Sequence, residues 1–185
     1  MSGPAEERRE EFEREALPHL DVMYGLARRL TGGDTARAED LLQESVLKAW
    51  RAWDRFEVGT NCRAWLLTIL RNTFLNDRRR ADVRGEAVGY DDVADHPPLP
   101  VLYEADPEGR VLDRIVGGEI ARAIEELPAE FRVPVVLADV EGLGYQEIAE
   151  ELGIPVGTVK SRIFRGRKRL QDRLYRHAVE MGYLE

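Results

Sequence analysis

Residues 144–170 read GYQEIAEELGIPVGTVKSRIFRGRKRL, and the way this stretch folds decides the rest. Ala149 is small, as a close helix crossing requires. Gly153 follows Leu152 at the end of one helical run, where a left-handed backbone costs glycine least. Ile154 is placed to pack into the turn. Pro155 cannot continue the first helix and suits the start of a second. At 100° per residue Val159, Ile163, Gly166 and Leu170 fall in one narrow arc, the expected core stripe. Thr158, Ser161, Arg162, Arg165 and Arg169 point the other way, and Lys160 and Arg167 flank the stripe. Two helices joined by a tight turn, the second with a basic, hydroxyl-bearing face, suit a DNA major groove. There Arg reads guanine through paired hydrogen bonds while Lys, Arg and Ser hold phosphates. An ordinary amphipathic pair with a solvated face fits the same pattern.

Charge separates the two readings. The 185 residues carry 27 Lys plus Arg against 35 Asp plus Glu, a formal net charge of −8, with pI near 5.1. That balance alone speaks against nucleic acid. The charge is unevenly placed, however: residues 154–176 hold eight bases and one acid, and residues 63–84 hold six bases and two acids. Two basic blocks far apart in an acidic chain suit contact with a polyanion as well as they suit two solvated helix faces, and the block that falls on the second helix strengthens the DNA reading.

Outward from the helix-turn-helix, helices are expected over 113–127, 129–140, 145–152 and 156–175. Residues 85–112 hold four of the nine prolines, seven acids and one base, and no helical period. They read as an acidic, flexible linker. Before it, 17–30 is helical and ends at Thr31-Gly32-Gly33. Asp34 or Thr35 caps a helix to about residue 54, and a third helix covers about 61–80. No stretch alternates like a strand. The expected fold is all-α: two small helical bundles, 1–84 and 113–185, joined by the linker 85–112.

In the second N-terminal helix Leu42, Val46, Ala49 and Trp53 are the expected core face. Asp40, Gln43, Glu44, Leu47 and Arg51 lie opposite. One exposed leucine is ordinary on a surface; ringed by Asp40, Gln43 and Glu44 it also suits the centre of a protein contact. The third helix is apolar nearly all round at its centre, as a buried helix is, and ends in Arg78-Arg79-Arg80. Asn72, Asn76 and Arg79 share a face. Amides and arginines near Phe56, Trp65 and Phe74 are what melted DNA needs for stacking, base-edge and phosphate contacts; Trp65 and Phe74 read better as core.

The remaining signals are exclusions. A single cysteine, Cys62, makes no internal disulfide or Cys-rich metal site and fits a reducing compartment. No apolar run has membrane-spanning length, and the N-terminus is charged throughout, unlike a signal peptide, so a cytoplasmic location is expected. His19, His96 and His177 are scattered, and no Gly-rich phosphate loop, HExxH or nucleophile elbow is present. Neither catalysis nor a cofactor is expected.

Three strings together resemble a known family. AEDLLQESVLKAWRAWDRF, GTNCRAWLLTILRNTFLNDRRR and LPAEFRVPVVLADVEGLGYQEIAEELGIPVGTVKSRIFRGRKRL resemble, in that order, three parts of bacterial extracytoplasmic-function (ECF) sigma factors. These are the polymerase-binding helix, the −10 reading loop and helix, and the −35-binding domain. The resemblance covers residues 10–178 and implies these roles. Asp40, Gln43, Glu44 and Leu47 would meet the clamp helices of the RNA polymerase beta-prime subunit, which moves Leu47 from plain surface to contact. The second domain would meet the beta flap. The loop 56–61, Phe56 and Asn61 included, would hold a base flipped from the −10 element. Arg63, Asn72, Asn76, Arg78, Arg79 and Arg80 would lie along that strand. Thr158, Lys160, Ser161, Arg162, Arg165, Arg167 and Lys168 would meet the −35 duplex. The linker would thread through the polymerase. The wording GTN…AWLLTILRNTFLN resembles the subgroup controlled by redox-responsive, zinc-binding anti-sigma factors, which implies such a partner, holding the zinc itself. The alternative is a stand-alone helix-turn-helix regulator, although nothing in 1–84 resembles the receiver or ligand domain that those usually need.

Overall fold

The structure, a computed structural model, describes residues 4–83 and 110–182. Every regular element among them is helical, and the chain divides into two compact units, Met1–Ala87 and Val88–Glu185. The linker expected over 85–112 lies outside the described residues, except that residues 110–112 are already helical.

In the first unit α1 (Pro4–Ala16) leads through a 3-10 turn (Leu17–His19) into α2 (Leu20–Thr31). Then follow α3 (Thr35–Arg51), a 3-10 turn (Trp53–Arg55) and α4 (Cys62–Val83). Helices α2, α3 and α4 pack on one another. Met23, Leu26, Ala27 and Leu30 of α2 meet Ala38, Leu41 and Ala49 of α3 and Leu66, Leu70 and Leu75 of α4 in the core. The α2–α3 corner is tight for a local reason. Gly32 takes a left-handed φ of 77°, the Gly33 N–H donates to the Arg28 carbonyl at 2.9 Å, and Asp34 accepts from the Arg37 N–H at 3.1 Å. Ser45 and Thr73 are buried, and each hydroxyl donates to the carbonyl four residues back, at 2.6 and 2.8 Å. Their burial therefore leaves no hydroxyl hydrogen unpaired.

Two expectations need correction here, and one helix is new. The buried stripe of α3 is Ala38, Leu41, Ser45 and Ala49, with Leu42 and Val46 only half-buried. The helix is rotated by part of a turn, because α2 and α4 flank it on two sides. Helix α4 is not buried all round: Ala64, Thr68, Asn72, Asn76 and Arg79 form an exposed stripe. And the charged N-terminus forms a helix, α1, that buries only Phe12 and Ala16.

In the second unit α5 (Arg110–Glu125), α6 (Ala129–Val135), a π turn (Val136–Val140), α7 (Tyr145–Leu152) and α8 (Val156–Glu180) fall where the periodicity expects helices. Helix α8 packs against α5, α6 and α7. The crossing with α6 is tight at Gly166, where a Cβ would lie 2.6 Å from Val135 Cγ2. The turn between α7 and α8 is built as the residues suggest: Gly153 is left-handed at φ 65°, and Pro155 caps α8.

Candidate nucleic-acid interface

Each unit presents one basic surface. On α8, burial by two neighbours sets which side chains face out. Val159, Ile163 and Gly166 are buried as expected, but Ser161 and Arg162 are buried too, at 7% and 5% exposure. The Ser161 hydroxyl donates to the Thr158 carbonyl at 3.0 Å. Both were expected to point outward. Helices α6 and α7 together cover more of α8 than one apolar stripe. Arg167 is also engaged: its Nε and Nη2 donate to Asp139 at 3.1 and 2.5 Å. The Asp139 carboxylate holds the Arg167 guanidinium pKa above its ordinary value, against the opposing effect of burial. Arg167 therefore ties α8 to the π turn and is half-buried. Arg169 sits 4.8 Å over the Phe131 ring. Along the outer side of α8, Lys160, Lys168 and Arg169 are exposed, with Thr158 and Arg165 half-exposed.

In the first unit the surface is built around a turn. Trp53 stacks on Phe56 at 4.8 Å between centroids, and Trp65 approaches Phe56 at 5.1 Å. Phe56 is 8% exposed, so its ring is corrected from base contact to support. Residues 57–61 rise from that cluster and are exposed. Gly59 has φ 91°; the Thr60 hydroxyl donates to the Glu57 carbonyl at 2.7 Å; and Asn61 Oδ1 accepts from the Ala64 N–H at 3.0 Å, capping α4. Beyond the loop, Asn72 and Asn76 continue the exposed stripe of α4, and Arg79 Nη1 donates to Asn76 Oδ1 at 3.1 Å. Arg80 lies 3.7 Å from Asp77, and Arg78 is half-buried. Arg63 is exposed, yet helical geometry puts it on the side opposite Asn72 and Arg79. Cys62 is buried, and burial, followed by the nearby Glu15 carboxylate, pushes its thiol pKa up.

A second surface of this unit is α3's outer face. Leu47 is 54% exposed, with Asp40 and Gln43 exposed beside it and Glu44 paired to Lys48 at 2.7 Å. It lies directly opposite the buried stripe. Among the described residues no cluster of three or more His, Cys, Asp or Glu could hold a metal, and no helix is long and apolar enough to cross a membrane.

A loop-and-helix surface in one helical unit and a helix-turn-helix in another define a two-part, sigma-type DNA-binding architecture. Residues 17–84 match the family model for sigma-70 region 2, and 117–170 match that for sigma-70 region 4. The ECF RNA polymerase sigma factor SigL of Mycobacterium tuberculosis is 38% identical over 146 residues, 78% of each protein. SigE of Mycolicibacterium smegmatis, another ECF RNA polymerase sigma factor, is 42% identical over 165 residues, 88% of this chain. This chain spans 61% of the SigE length. Among solved structures, the sigma factor RpoE of Bartonella quintana, held in a complex with the anti-sigma factor NepR, is 34% identical. The match has a TM-score of 0.50 and covers 89% of this chain and 96% of that one. The chain belongs to the ECF family of sigma factors, which are non-enzymatic factors of transcription initiation.

Proposed function

We propose that this chain binds core RNA polymerase, recognises −35 and −10 promoter elements and promotes melting of the −10 DNA. The observation that carries this reading is the pairing of two separate basic surfaces on an acidic chain: eight bases in 154–176 and six in 63–84. Five of the six bases in 63–84 lie on α4 and all eight in 154–176 lie on α8, helices that the matched sigma regions include or overlap. Lys160, Lys168, Arg165 and Thr158 meet the −35 duplex, while Ser161, Arg162 and Arg167 set the position of α8. The loop 57–61 takes an unpaired −10 base, and unpairing costs a few kcal/mol that the pocket contacts offset. Asn72, Asn76, Arg79 and Arg80, with Arg78 at the edge, follow the melted strand, and Arg63 meets phosphate from the other side of α4.

Leu47, with Asp40, Gln43 and Glu44, docks on the beta-prime clamp helices, and the second unit docks on the beta flap. The domain limits 1–84 and 113–185, with 85–112 threading through polymerase, belong to the same reading, as does a cytoplasmic site of action. An anti-sigma factor is the fitting inhibitor, by likeness to the RpoE–NepR complex. Its zinc-binding, redox-responsive class is proposed from the wording of residues 59–76 alone.

Run-off transcription with core polymerase and a genomic DNA library tests the reading. Promoter-specific transcripts, lost on Leu47→Glu, are expected. Free protein is expected to bind promoter DNA weakly and in a salt-sensitive way. Tight, sequence-specific binding without polymerase would sink the proposal.

A further inference from the structure

Helix α1 lies outside the residues matched by the region 2 model, 17–84, and it does little for the three-helix core: only Phe12 and Ala16 are buried. Its polar side chains converge instead on residues 50–54, the turn that feeds the loop 56–61. Phe12 meets Trp50 edge-on at 5.2 Å and Trp53 at 5.0 Å. Trp53 Nε1 donates to Glu11 Oε2 at 3.2 Å. Arg8 donates from Nε to Asp54 Oδ1 at 2.9 Å and from Nη2 to the Trp50 carbonyl at 2.8 Å. Its guanidinium carbon lies 4.1 Å from the Trp50 ring centroid.

Trp53 passes this restraint on, because it stacks directly on Phe56, the first anchor of the loop. The loop's other anchor is buried Cys62. Helix α1 also packs on α4, the helix that Cys62 begins. One helix thus packs on the turn before the loop and on the helix after it, while the loop's middle, 57–61, is exposed and held by its own short-range hydrogen bonds. A loop so built keeps one conformation only as well as its anchors are held. A preformed pocket avoids the entropy of ordering the loop when the base arrives.

We infer that α1 is a positioning strut for the −10 loop, acting through Arg8, Glu11 and Phe12 on Trp50, Trp53 and Asp54. Phe12 and Arg8 touch no DNA in this role; they fix the pocket that does. The inference rests on the reading of 56–61 as the base-holding loop.

The test uses the full-length chain assembled with core polymerase on a promoter recovered by run-off transcription, with 2-aminopurine in the −10 element. Phe12→Ala and Arg8→Ala are compared with wild type and with Phe12→Leu, which refills the space without the aromatic edge. Four quantities are read: 2-aminopurine opening, affinity of holoenzyme for a single-stranded −10 oligonucleotide, affinity for core polymerase, and affinity for a −35 duplex. Opening and single-strand affinity are expected to fall about three- to tenfold in both alanine variants, as loss of aromatic and charged contacts implies. Phe12→Leu is expected to recover part of the loss, with polymerase and −35 affinity unchanged. Unchanged opening in both alanine variants overturns the strut. So does a parallel fall in all four quantities, which would mark α1 as plain scaffold. If wild-type holoenzyme opens no promoter, the reading of the loop itself fails, and the strut falls with it.

Discussion

Gly166 is a single atom short of a clash. A methyl there would sit 2.6 Å from Val135 Cγ2 and 3.4 Å from Phe131 Cβ, and both neighbours are buried. Gly166→Ala is therefore expected to destabilise the second unit by about 1–3 kcal/mol, as overpacking of a tight core does. Chemical denaturation followed by circular dichroism checks it, and unchanged stability would mean that α6 and α8 can separate freely. Periodicity places Gly166 on the core stripe but says nothing of how close the opposing helix comes. The same limit applies at Phe56. As an aromatic beside a polar loop it reads as a stacking platform, yet Trp53 and Trp65 close over it. Its hydrophobic area is better buried against other rings than left to water.

Elements show which faces are free. On α8 the two inward residues, Ser161 and Arg162, and the outward ones, Lys160 and Lys168, lie on one short stretch of the chain. This separates binding from folding. Lys160→Ala and Lys168→Ala are expected to leave stability within about 0.5 kcal/mol, as surface substitutions usually do. They should weaken −35 binding by holoenzyme and flatten its salt dependence by about one phosphate contact each. Arg162→Ala should instead lower the melting temperature of the free protein, since it truncates an arginine that is only 5% exposed. Paired thermal melts and salt titrations decide this. If Lys160→Ala and Arg162→Ala behave alike in both, the assignment of faces is wrong. Helix α1 shows the reverse lesson. Its thirteen residues are mostly charged, so no apolar stripe announces it. The only signal is Phe12 and Ala16 four apart, with Arg8 one turn earlier. A short apolar pair of this kind becomes informative only when the aromatic cluster it meets is known.

At the scale of the whole molecule the net charge of −8 describes neither surface that matters. Seven acids and one base in 85–112 separate the basic blocks in sequence, and at low salt their field opposes the approach of a polyanion. Neutralising those seven acids is expected to tighten non-specific duplex binding by the free protein, with the gain fading as salt rises. A filter-binding titration at several salt concentrations reads it, and a gain that survives high salt would rule out an electrostatic origin. Tethering two weak contacts to one polymerase then raises the second by effective concentration, without new bonds. By itself the sequence determined the all-helical class, the order of the elements, the turn at Gly153 and Pro155 and the placement of charge. These are local matters, set by period, backbone preference and side-chain type. Only the tertiary structure decided that Ser161, Arg162 and Phe56 turn inward, that Arg167 pairs with Asp139, that α3 buries Leu41 and Ser45 ahead of Leu42 and Val46, and that α1 packs on Trp50 and Trp53. A face is exposed or buried according to how many neighbours cover it, and those neighbours come from distant parts of the chain.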